Sequence, residues 1–440
     1  MPKDVVQGVF LMKVVGLITE YNPFHNGHEF HIREAKRVTG ADTAVVIMSG
    51  DYVQRGIPAI MPKRLRAEMA LRCGASAVFE LPVCYATGSA ESFALGAVSF
   101  LEQLGIVDYL CFGSESNDLD GMKRIADILT EEPAGYRESL KEHLKSGKSF
   151  PAARQCALTE YTKDPKAASL LDDPNNILGV EYLKALNRLE SPIVPFTISR
   201  KGAHYHDSDL DSSRFSSATA IRSLLAHSSS SLRTNGYDRT FENTSFSSML
   251  LELEEQVPSS CLEILKDYHR VLYPVYQNDF SLILKYKLLN KQPENLLSYL
   301  DVSEEIANRI CGQLNNFFNY VQFCELLKTK EVTQTRINRA LLHIMLGTKK
   351  ASVQEYMDYG IHFYARLLGV RKDRQKLLAE VSKKSRLPLL AKLSDAETLP
   401  VLGQQMLKHD ILASNLYTSV VTDKFRTAFQ NEYKQALIKI

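Results

Sequence analysis

Two histidines, separated by two residues, stand where an apolar run of the chain ends. The stretch VVGLITEYNPFHNGHE places His25 and His28 after the β-rich run Val14–Thr19 and before helical spacing at 29–39. In open parallel sheets, ligands bind beyond the carboxyl ends of the strands, and a helix N-terminus there favours phosphate. Gly27 lets the chain pass close to such a ligand. The pattern indicates a phosphate site to which both imidazoles could donate; alternatively, one histidine caps the helix and the other packs.

Polar residues also follow other strand-like runs. The loop after run 43–49 carries Asp51, Gln54 and Arg55, which would project at the same rim as the histidines and could bind a substrate or a target base. A polar loop tied by an Asp–Arg pair is the alternative. Gly113 ends another run and permits close approach of an adenine or ribose, although an isolated Gly-Ser turn would mean little.

Hydroxyl-rich and basic residues stand near the end of the same region. In SSATAIR at 216–222, the hydroxyl groups can cap a helix and hydrogen-bond phosphate, and Arg222 adds charge where pyrophosphate would depart. A plain N-cap is the alternative. Arg200 and Lys201 follow a further strand-like run, and on charge grounds alone they form a solvated pair.

Two other patterns do not carry a site. SGKS at 146–149 lacks the first glycine of a phosphate loop, because position 142 is Glu. His204, His206 and Asp207 are close in sequence, but a zinc site needs further ligands and a closed geometry, so loop hydrogen bonding is the better interpretation. We therefore name no residue as a metal ligand.

An alternation of strand-like and helical patterns would position these residues. It extends over residues 13–226 and predicts an α/β domain with a Rossmann-like parallel sheet covered by helices. Residues 227–248 are rich in Ser, Thr, Asn and Gly and predict a linker or long loop. The rest of the chain, residues 249–440, predicts a mostly α-helical domain, with helical spacing at 251–257, 279–289, 303–323, 335–346 and 423–438.

Composition limits the class of protein. The chain has 440 residues, 53 Lys and Arg against 51 Asp and Glu, and a net charge of +2, so any basic face must be local. Its seven cysteines are odd in number and form no C-x-x-C pair, which argues against a disulfide framework or a thiolate zinc site. No apolar run approaches the ~18 residues that a bilayer span requires. We expect a soluble, cytoplasmic protein with no membrane or DNA partner, and assign residues 1–11 no role.

The motif HNGH at 25–28 resembles the H-x-G-H signature of the class I nucleotidyltransferases, whose domains carry the HIGH-type fold. SSATAIR resembles their second mark, Ser-Ser-Thr-x-Ile-Arg, with one residue inserted. The match tightens in GLITEYNPFHNGH, MSGDYVQRGIPAI, ELPVCYATGSAESFALGAV, FGSES, PNNILGVEYLKAL and AHYHD, which together resemble the bacterial tRNA(Met) cytidine acetate ligase family. The resemblance covers most of residues 13–225, and the helical half is less distinctive.

This resemblance implies an ATP-dependent enzyme. It would activate acetate as acetyl-adenylate, with Mg²⁺, and transfer the acetyl group to N4 of the wobble cytidine of elongator tRNA(Met). The catalytic residues it implies are His25, His28, Asp51 and Arg55. The ATP-binding residues it implies are Ile18, Thr19, Glu20, Tyr21, Asn22, Pro23, Phe24, His25, Asn26, Gly27, His28, Gly113, Asn176, Arg200, Lys201, Ser216, Ser217, Thr219 and Arg222.

The segment 371–392 is the densest basic stretch. It holds eight Lys or Arg and two acidic residues in 22 positions, and on a helical hairpin it could engage RNA phosphates. A solvated helix face is the alternative. The residues predicted to bind tRNA are Arg336, Arg339, Arg371, Lys372, Arg374, Lys376, Lys383, Lys384 and Arg386.

Two other functions stay open at this point. A small-molecule adenylyltransferase would join AMP to a phosphorylated metabolite and stop there, but the extra half of the chain speaks against it. A non-catalytic, ATP-responsive RNA-binding protein would release no pyrophosphate, and the co-occurrence of two phosphate motifs speaks against that function.

Overall fold

A mostly parallel sheet runs through the molecule and is buried on both faces. The structure, a computed structural model, describes residues 12–200, 217–230 and 239–440. Two short strands form a separate hairpin, β3 Tyr52–Val53 with β4 Ile57–Pro58. The strands of the main sheet are β1 Val14–Thr19, β2 Thr43–Ser49, β5 Ala77–Leu81, β6 Tyr109–Ser114, β7 Val194–Ser199, β8 Ala365–Val370, β9 Leu389–Leu390 and β10 Ile438–Lys439.

The order of strands in the main sheet is β10-β8-β5-β2-β1-β6-β7, and β9 pairs with β8. The strands β5, β2, β1, β6 and β7 are parallel to their neighbours in this set, whereas β8 is antiparallel to β5. We call the edge at which β1, β2, β5, β6 and β7 end the carboxyl edge, and the opposite edge the amino edge. Because β8 runs the other way, Val370 at its end pairs with Ala77 at the start of β5 and lies at the amino edge.

Twenty helices cover the sheet and build the second half of the described chain. Those up to residue 230 are α1 Asn26–Thr39, α2 Lys63–Arg72, α3 Val83–Ala86, α4 Ala90–Gln103, α5 Leu119–Glu131, α6 Ala134–Lys145, α7 Phe150–Thr162, α8 Pro165–Ser169, α9 Pro174–Arg188 and α10 Ala218–Ser230. The later ones are α11 Arg239–Glu254, α12 Ser259–Tyr268, α13 Ser281–Leu289, α14 Pro293–Leu296, α15 Glu304–Gln313, α16 Tyr320–Leu327, α17 Gln334–Leu346, α18 Lys350–Asp358, α19 Gln375–Lys384 and α20 Val401–Phe425.

The predicted fold class is confirmed, since a mostly parallel α/β sheet precedes a largely helical region. Sequence analysis missed β8, which comes from the helical region and joins the main sheet. The helix predicted at 423–438 is wrong, because α20 ends at Phe425 and Arg426 adopts a left-handed φ of 56°. The division into residues 13–226 and 249–440, with a linker at 227–248, stays a prediction. No helix among the described residues combines the length and apolar character needed to cross a bilayer.

A buried group of charged side chains joins the two regions of the chain. The Nζ atom of Lys63 lies 2.7 Å from Glu80 on β5 and 3.0 Å from Glu432, and it donates to the hydroxyl group of Ser414 on α20 at 2.6 Å. Arg366 on β8 lies 3.1 Å from Glu80. Buried charges persist only when they are paired and hydrogen-bonded, so this cluster fixes α20 and β8 against the sheet.

Candidate active site

A cavity of about 400 Å³ opens at the carboxyl edge of the sheet. It lies between the ends of β1, β6 and β7 and the N-terminal ends of α1, α9 and α10. Fourteen of the residues predicted for catalysis or ATP binding line it: Ile18, Thr19, Glu20, Tyr21, Asn22, His25, Gly27, His28, Arg55, Gly113, Arg200, Ser217, Thr219 and Arg222.

The two histidines form a corner of the cavity and also cap α1. The Nδ1 atom of His25 accepts a hydrogen bond from the backbone N–H of Gly27 at 3.1 Å. The Nδ1 atom of His28 accepts one from the backbone N–H of His25 at 3.3 Å, which completes a capping box. The ring centroids lie 3.8 Å apart. Since each Nδ1 accepts, each neutral ring carries its proton on Nε2, which makes Nε2 a donor.

Burial keeps both imidazoles uncharged at neutral pH. Burial, and then the nearby charges of Arg200 and Arg222, lower the pKa of His25 to about 3. The pKa of His28 is lowered well below its usual value, first by burial and then by His25 and Arg200. A phosphate would therefore meet neutral N–H donors at this corner, and the positive charge would come from guanidinium groups.

The second sequence motif starts α10 and faces the same cavity. The guanidinium group of Arg222 donates to the backbone carbonyl of Asn22 at 2.7 Å and to the hydroxyl group of Thr219 at 3.0 Å. The hydroxyl group of Ser217 accepts from the backbone N–H of Ala220 at 3.1 Å, as an N-cap does. The motif thus contacts the β1–α1 loop through Arg222. Its residues cap α10 and also line the cavity, so the two alternatives drawn from the sequence occur together.

Comparisons with known proteins agree with this geometry. Residues 12–433 match the model of the HIGH Nucleotidyl Transferase family. A tRNA(Met) cytidine acetate ligase of Acetivibrio thermocellus is 40% identical over 432 residues, which are 97% of this chain and 100% of that protein. The chain belongs to the tRNA(Met) cytidine acetate ligase family. The family predicted from the sequence motifs is confirmed.

Further relatives and solved structures extend the match over the whole fold. A tRNA(Met) cytidine acetate ligase of Clostridium novyi is 40% identical over 375 residues, 85% of this chain and 88% of that protein. The crystal structure of apo TmcAL from Thermotoga maritima has a TM-score of 0.87 at 33% identity and covers 98% of this chain and 100% of its own. The same protein bound with alpha-thio ATP has a TM-score of 0.85 at 32% identity, with the same coverage.

Three residues predicted to bind ATP, Pro23, Phe24 and Asn26, do not line the cavity of this tRNA(Met) cytidine acetate ligase family member. They belong to the loop and helix start that hold the lining residues in place. Phe24 is buried, and its ring lies 4.8 Å from that of Tyr21 and 5.5 Å from that of His28. Asn26 donates from its backbone to the carbonyl of Gln256 at 2.9 Å. Pro23 lies in the same loop and is absent from the cavity lining. Lys201 and Ser216 lie outside the described residues, as do His204, His206 and Asp207.

Asn176 organises the turn after β6 and is absent from the cavity lining. Its buried side-chain oxygen accepts from the hydroxyl group of Ser114 at 2.8 Å and from the backbone N–H of Glu115 at 3.1 Å. This turn holds Gly113, over which the side chain of Arg200 lies: a Cβ atom at Gly113 would be 3.2 Å from Cγ of Arg200. The geometry gives Asn176 a positioning role for the Gly113 wall.

Asp51 is buried away from the cavity lining. Its carboxylate accepts from the backbone N–H of Lys63 at 2.8 Å and lies 3.9 Å from the Nζ atom of that residue. Burial raises the pKa of Asp51, and Lys63 opposes that rise. The geometry places the carboxylate of Asp51 in the buried charge cluster, beside Lys63. The catalytic role of Asp51 stays a prediction.

The hairpin of β3 and β4 carries Gln54 and Arg55 to the rim of the cavity. The backbone N–H of Gln54 donates to the carboxylate of Glu20 at 2.9 Å. Gly56, with a φ of 74°, packs on α17, and a Cβ atom there would lie 2.4 Å from the backbone nitrogen of Arg339. The position of Arg55 therefore depends on a helix from the second half of the chain.

Sequence reasoning missed part of the lining. His31, one turn after His28 on α1, also lines the cavity, and burial lowers its pKa to about 4. Helical spacing of three residues was the available signal. The apolar wall had no local signal, because its members come from separate helices and a strand: Ala90, Phe93, Phe112, Ile177, Leu178 and Tyr182.

The residues predicted to bind tRNA fall into two groups. The segment 371–386 lies at the amino edge, where the backbone N–H of Arg371 donates to Ser76 at 3.1 Å and Arg374 lies 3.6 Å from Asp42. This segment is not the predicted helical hairpin, because β8 precedes it and a single helix, α19, spans its middle. Arg336 and Arg339 lie instead on α17, beside the rim, and there Arg339 pairs with Asp301 at 2.8 Å.

Proposed function

We propose that this protein is an ATP-dependent ligase that activates acetate as acetyl-adenylate and transfers the acetyl group to N4 of the wobble cytidine of elongator tRNA(Met). The observation that carries the proposal is the histidine corner beside Arg200 and Arg222, in a chain 40% identical to a tRNA(Met) cytidine acetate ligase over nearly its full length. The ATP-analogue complex of the Thermotoga maritima relative supports ATP as the nucleotide.

In the first step, an acetate oxygen attacks the α-phosphorus of ATP and the bond to pyrophosphate breaks. The Nε2–H groups of His25 and His28 donate to phosphate oxygens, and the guanidinium group of Arg222 stabilises the charge that grows on the departing pyrophosphate. No protein nucleophile takes part, because acetate itself supplies the attacking oxygen. Catalysis is therefore mainly placement and electrostatic stabilisation.

We include Mg²⁺ with ATP in this proposal. Mg²⁺ in nucleotide sites is held mostly by phosphate oxygens, with one or two carboxylates. Glu20 is the only acidic side chain among the described residues that line the cavity, and its position at the end of β1 suits that role. When bound, the ion would neutralise phosphate charge. Among the described residues there is no cluster of three His, Cys, Asp or Glu that would hold a metal by itself.

In the second step, the exocyclic amine of cytosine attacks the acetyl carbonyl and AMP departs. The base must leave the stack of the anticodon loop to reach the cavity. Gln54 and Arg55 stand at the rim that the base would pass, so we assign them to the handling of the incoming nucleotide. We place the reaction in the cytoplasm, where transfer RNA is modified.

The tRNA contact nearest the cavity belongs to α17 in this proposal. Arg336 is exposed one turn before Arg339, whose backbone meets the hairpin at Gly56. The segment 371–386 is separated from the cavity by the length of the sheet strands, about 20 Å for six residues. It can therefore meet only a part of the tRNA distant from the wobble base.

The test is pyrophosphate release by the purified protein with ATP and acetate, with ATP and tRNA, and with all three. We expect acetate-dependent exchange of pyrophosphate into ATP without RNA, and N4-acetylcytidine in tRNA(Met) nucleosides when all components are present. A small-molecule adenylyltransferase would show no dependence of pyrophosphate exchange on acetate, and a binding protein would release no pyrophosphate. Exchange that does not depend on acetate, or the absence of pyrophosphate release, would overturn the proposal.

A further inference from the structure

Two cysteine side chains meet between α2 and α12. The Sγ atom of Cys73, at the C-terminal end of α2, lies 3.5 Å from the Sγ atom of Cys261 in the first turn of α12. All seven cysteines lie in the described part of the chain, and only these two have sulfur atoms in contact. Cys73 is 9% exposed and Cys261 is fully buried.

Neighbouring contacts hold the two sulfur atoms in register. Arg72 at the end of α2 lies 3.3 Å from Glu263 on α12. The hydroxyl group of Ser260 lies 3.7 Å from the Sγ atom of Cys73, and the Sγ atom of Cys261 lies 3.9 Å from the carbonyl oxygen of Met69. The sulfur atoms need to approach by about 1.5 Å to reach the usual bond length of about 2.05 Å.

We propose that Cys73 and Cys261 form a reversible oxidation site, at which hydrogen peroxide converts the two thiols into a disulfide. The sulfur of Cys73, as thiolate, attacks one peroxide oxygen, the O–O bond breaks, and water leaves after protonation. The sulfur of Cys261 then displaces the hydroxyl group of the sulfenic acid as a second water. One hydrogen peroxide thus takes two electrons and two protons from the thiols.

The surroundings of the two thiols determine which of them reacts with the peroxide first. The hydrogen bond from Cys261 lowers the pKa of the Cys73 thiol, burial opposes this effect, and Ser260 and Arg72 add to the lowering. Thiolate character and access to solvent both favour oxidation. Cys73 therefore reacts first, and the buried Cys261 resolves the sulfenic acid.

The disulfide would fasten a helix that follows the turn behind the histidine corner. The carbonyl groups of Glu255 and Gln256, just before α12, accept hydrogen bonds from the side chain and backbone of Asn26 at 2.7 and 2.9 Å. A bond between Cys73 and Cys261 fixes α12 to α2 and so restricts this turn. The inference concerns the thiol pair alone and does not depend on the substrate that the cavity accepts.

The experiment treats the purified full-length protein with one equivalent of hydrogen peroxide, alkylates the remaining thiols, and maps the peptides by mass spectrometry. We expect a Cys73–Cys261 linkage that dithiothreitol reverses. The oxidised protein should also unfold at a temperature several degrees higher, because the bond joins residues 188 apart and restricts the unfolded chain.

Matched variants separate this site from general oxidation. Cys261→Ser and Cys73→Ser should show neither the linkage nor the thermal shift, whereas Cys156→Ser, at a half-buried cysteine, should keep both. Recovery of Cys73 and Cys261 as alkylated thiols, in a sample whose Cys156 is oxidised, would overturn the proposal. An equal thermal shift in Cys261→Ser would overturn it as well.

Discussion

At the scale of single residues, the histidine corner separates hydrogen bonding from charge. Burial keeps His25 and His28 neutral. The Nδ1 atom of His25 accepts from the backbone N–H of Gly27, and that of His28 accepts from the backbone N–H of the N-cap residue His25. The positive charge comes from Arg200 and Arg222, which line the same cavity. In the proposed reaction the imidazoles therefore supply hydrogen-bond donors, and the guanidinium groups supply the charge that stabilises the phosphates.

The first prediction concerns His28. In the proposed function His28 donates to a phosphate oxygen, so we expect acetate-dependent pyrophosphate exchange to fall by about 10²–10³-fold in His28→Ala. Because His28 also caps α1, His28→Gln is the partner variant, since glutamine at this position keeps a capping box. Exchange should stay low in His28→Gln while the thermal midpoint recovers. Exchange at the wild-type rate in His28→Ala would contradict the assignment. His143→Ala, on α6 and outside the cavity lining, serves as the control.

The second prediction concerns Asp51. Asp51→Asn weakens the pairing with Lys63 in the buried charge cluster, so the free energy of unfolding should fall by roughly 1–3 kcal/mol. Pyrophosphate exchange per folded molecule should stay within about twofold of the wild type, because the carboxylate does not line the cavity. Urea unfolding and steady-state kinetics measure the two quantities. A large loss of exchange with unchanged stability would restore a catalytic role.

The residue scale also shows what the sequence can and cannot predict. His25, His28 and Arg222 were identifiable, because their motifs combine residue type with position at a helix start. Asp51 follows a strand in the same way, yet its side chain turns towards α2, and sequence position does not reveal that direction. His31 was missed because a lone histidine inside a helix usually packs.

At the scale of elements, the β3–β4 hairpin and α17 form one side of the cavity rim. Gln54 and Arg55 lie at the tip of the hairpin, and Gly56 rests on the backbone of α17. The exposed Arg336 lies one turn along the same helix. A helix from the second half of the chain thus shapes the entrance to a cavity built by the first half.

The third prediction compares the two basic surfaces. Arg336→Glu should raise the Kd for tRNA(Met) at least about tenfold and reduce the salt dependence of binding, because a phosphate contact near the anticodon loop is lost. Arg371→Glu, at the amino edge, is the matched charge reversal and should change the Kd less. Filter binding at several salt concentrations measures both. Pyrophosphate exchange without RNA should be unchanged in each variant. A larger rise in Kd for Arg371→Glu than for Arg336→Glu would instead indicate that the RNA binds at the amino edge.

The fourth prediction concerns the packing of the β3–β4 hairpin on α17. Gly56→Ala places a Cβ atom 2.4 Å from the Arg339 backbone at a φ of 74°, so the hairpin must move off α17. We expect a loss of roughly 1–3 kcal/mol in the free energy of unfolding and a larger loss of acetyl transfer than of pyrophosphate exchange. Gly147→Ala, also at positive φ but with open space around it, controls for backbone strain alone. Equal losses of transfer and exchange would contradict a rim-specific role.

The elements themselves divide into those that local pattern predicts and those that it does not. The first five parallel strands were predicted, because short apolar runs alternate with helical spacing over 13–200. β8 was not, since its buried residues pair antiparallel with a strand almost three hundred positions earlier, and no local signal records such a pairing. The helical half also makes the strand hard to recognise, because a run of only six residues, ARLLGV, fits either structure.

At the scale of the whole molecule, buried ionisable groups make stability depend on pH, and this is the fifth prediction. Burial lowers the pKa of His343, His362 and His409 to about 4 each. Between pH 6.5 and 4 these histidines bind protons in the unfolded chain but stay neutral in the folded protein. The free energy of unfolding therefore falls as the pH falls, by up to about 4 kcal/mol per pH unit for three rings. Asp410, with a pKa raised by burial to about 7, acts in the opposite direction.

Urea unfolding at pH 7.0, 5.5 and 4.5 measures this dependence. We expect the free energy of unfolding to decrease steadily across the three values, because these three histidines act in the same direction as His25, His28 and His31, whose pKa values are also lowered, and together they outweigh one aspartate. The Nε2–H group of His362 donates to the carbonyl oxygen of Gly96 at 2.6 Å. Replacing His362 by Gln should reduce the slope of the free energy of unfolding against pH by the contribution of about one proton. A constant free energy between pH 7.0 and 5.5 would show that these rings take up protons in the folded state.

The insertion of β8 beside β5 sets an order of events during synthesis. Leu81 ends β5 and Ala365 begins β8, so 284 residues must be translated before that flank is covered, roughly 15–60 s at the usual speed of ribosomes. Until then the nascent chain has an open strand edge. The Lys63 ammonium group lacks its Glu432 partner for longer still, because Glu432 follows β8 in the sequence. Slower elongation would lengthen the time for which this edge stays unpaired.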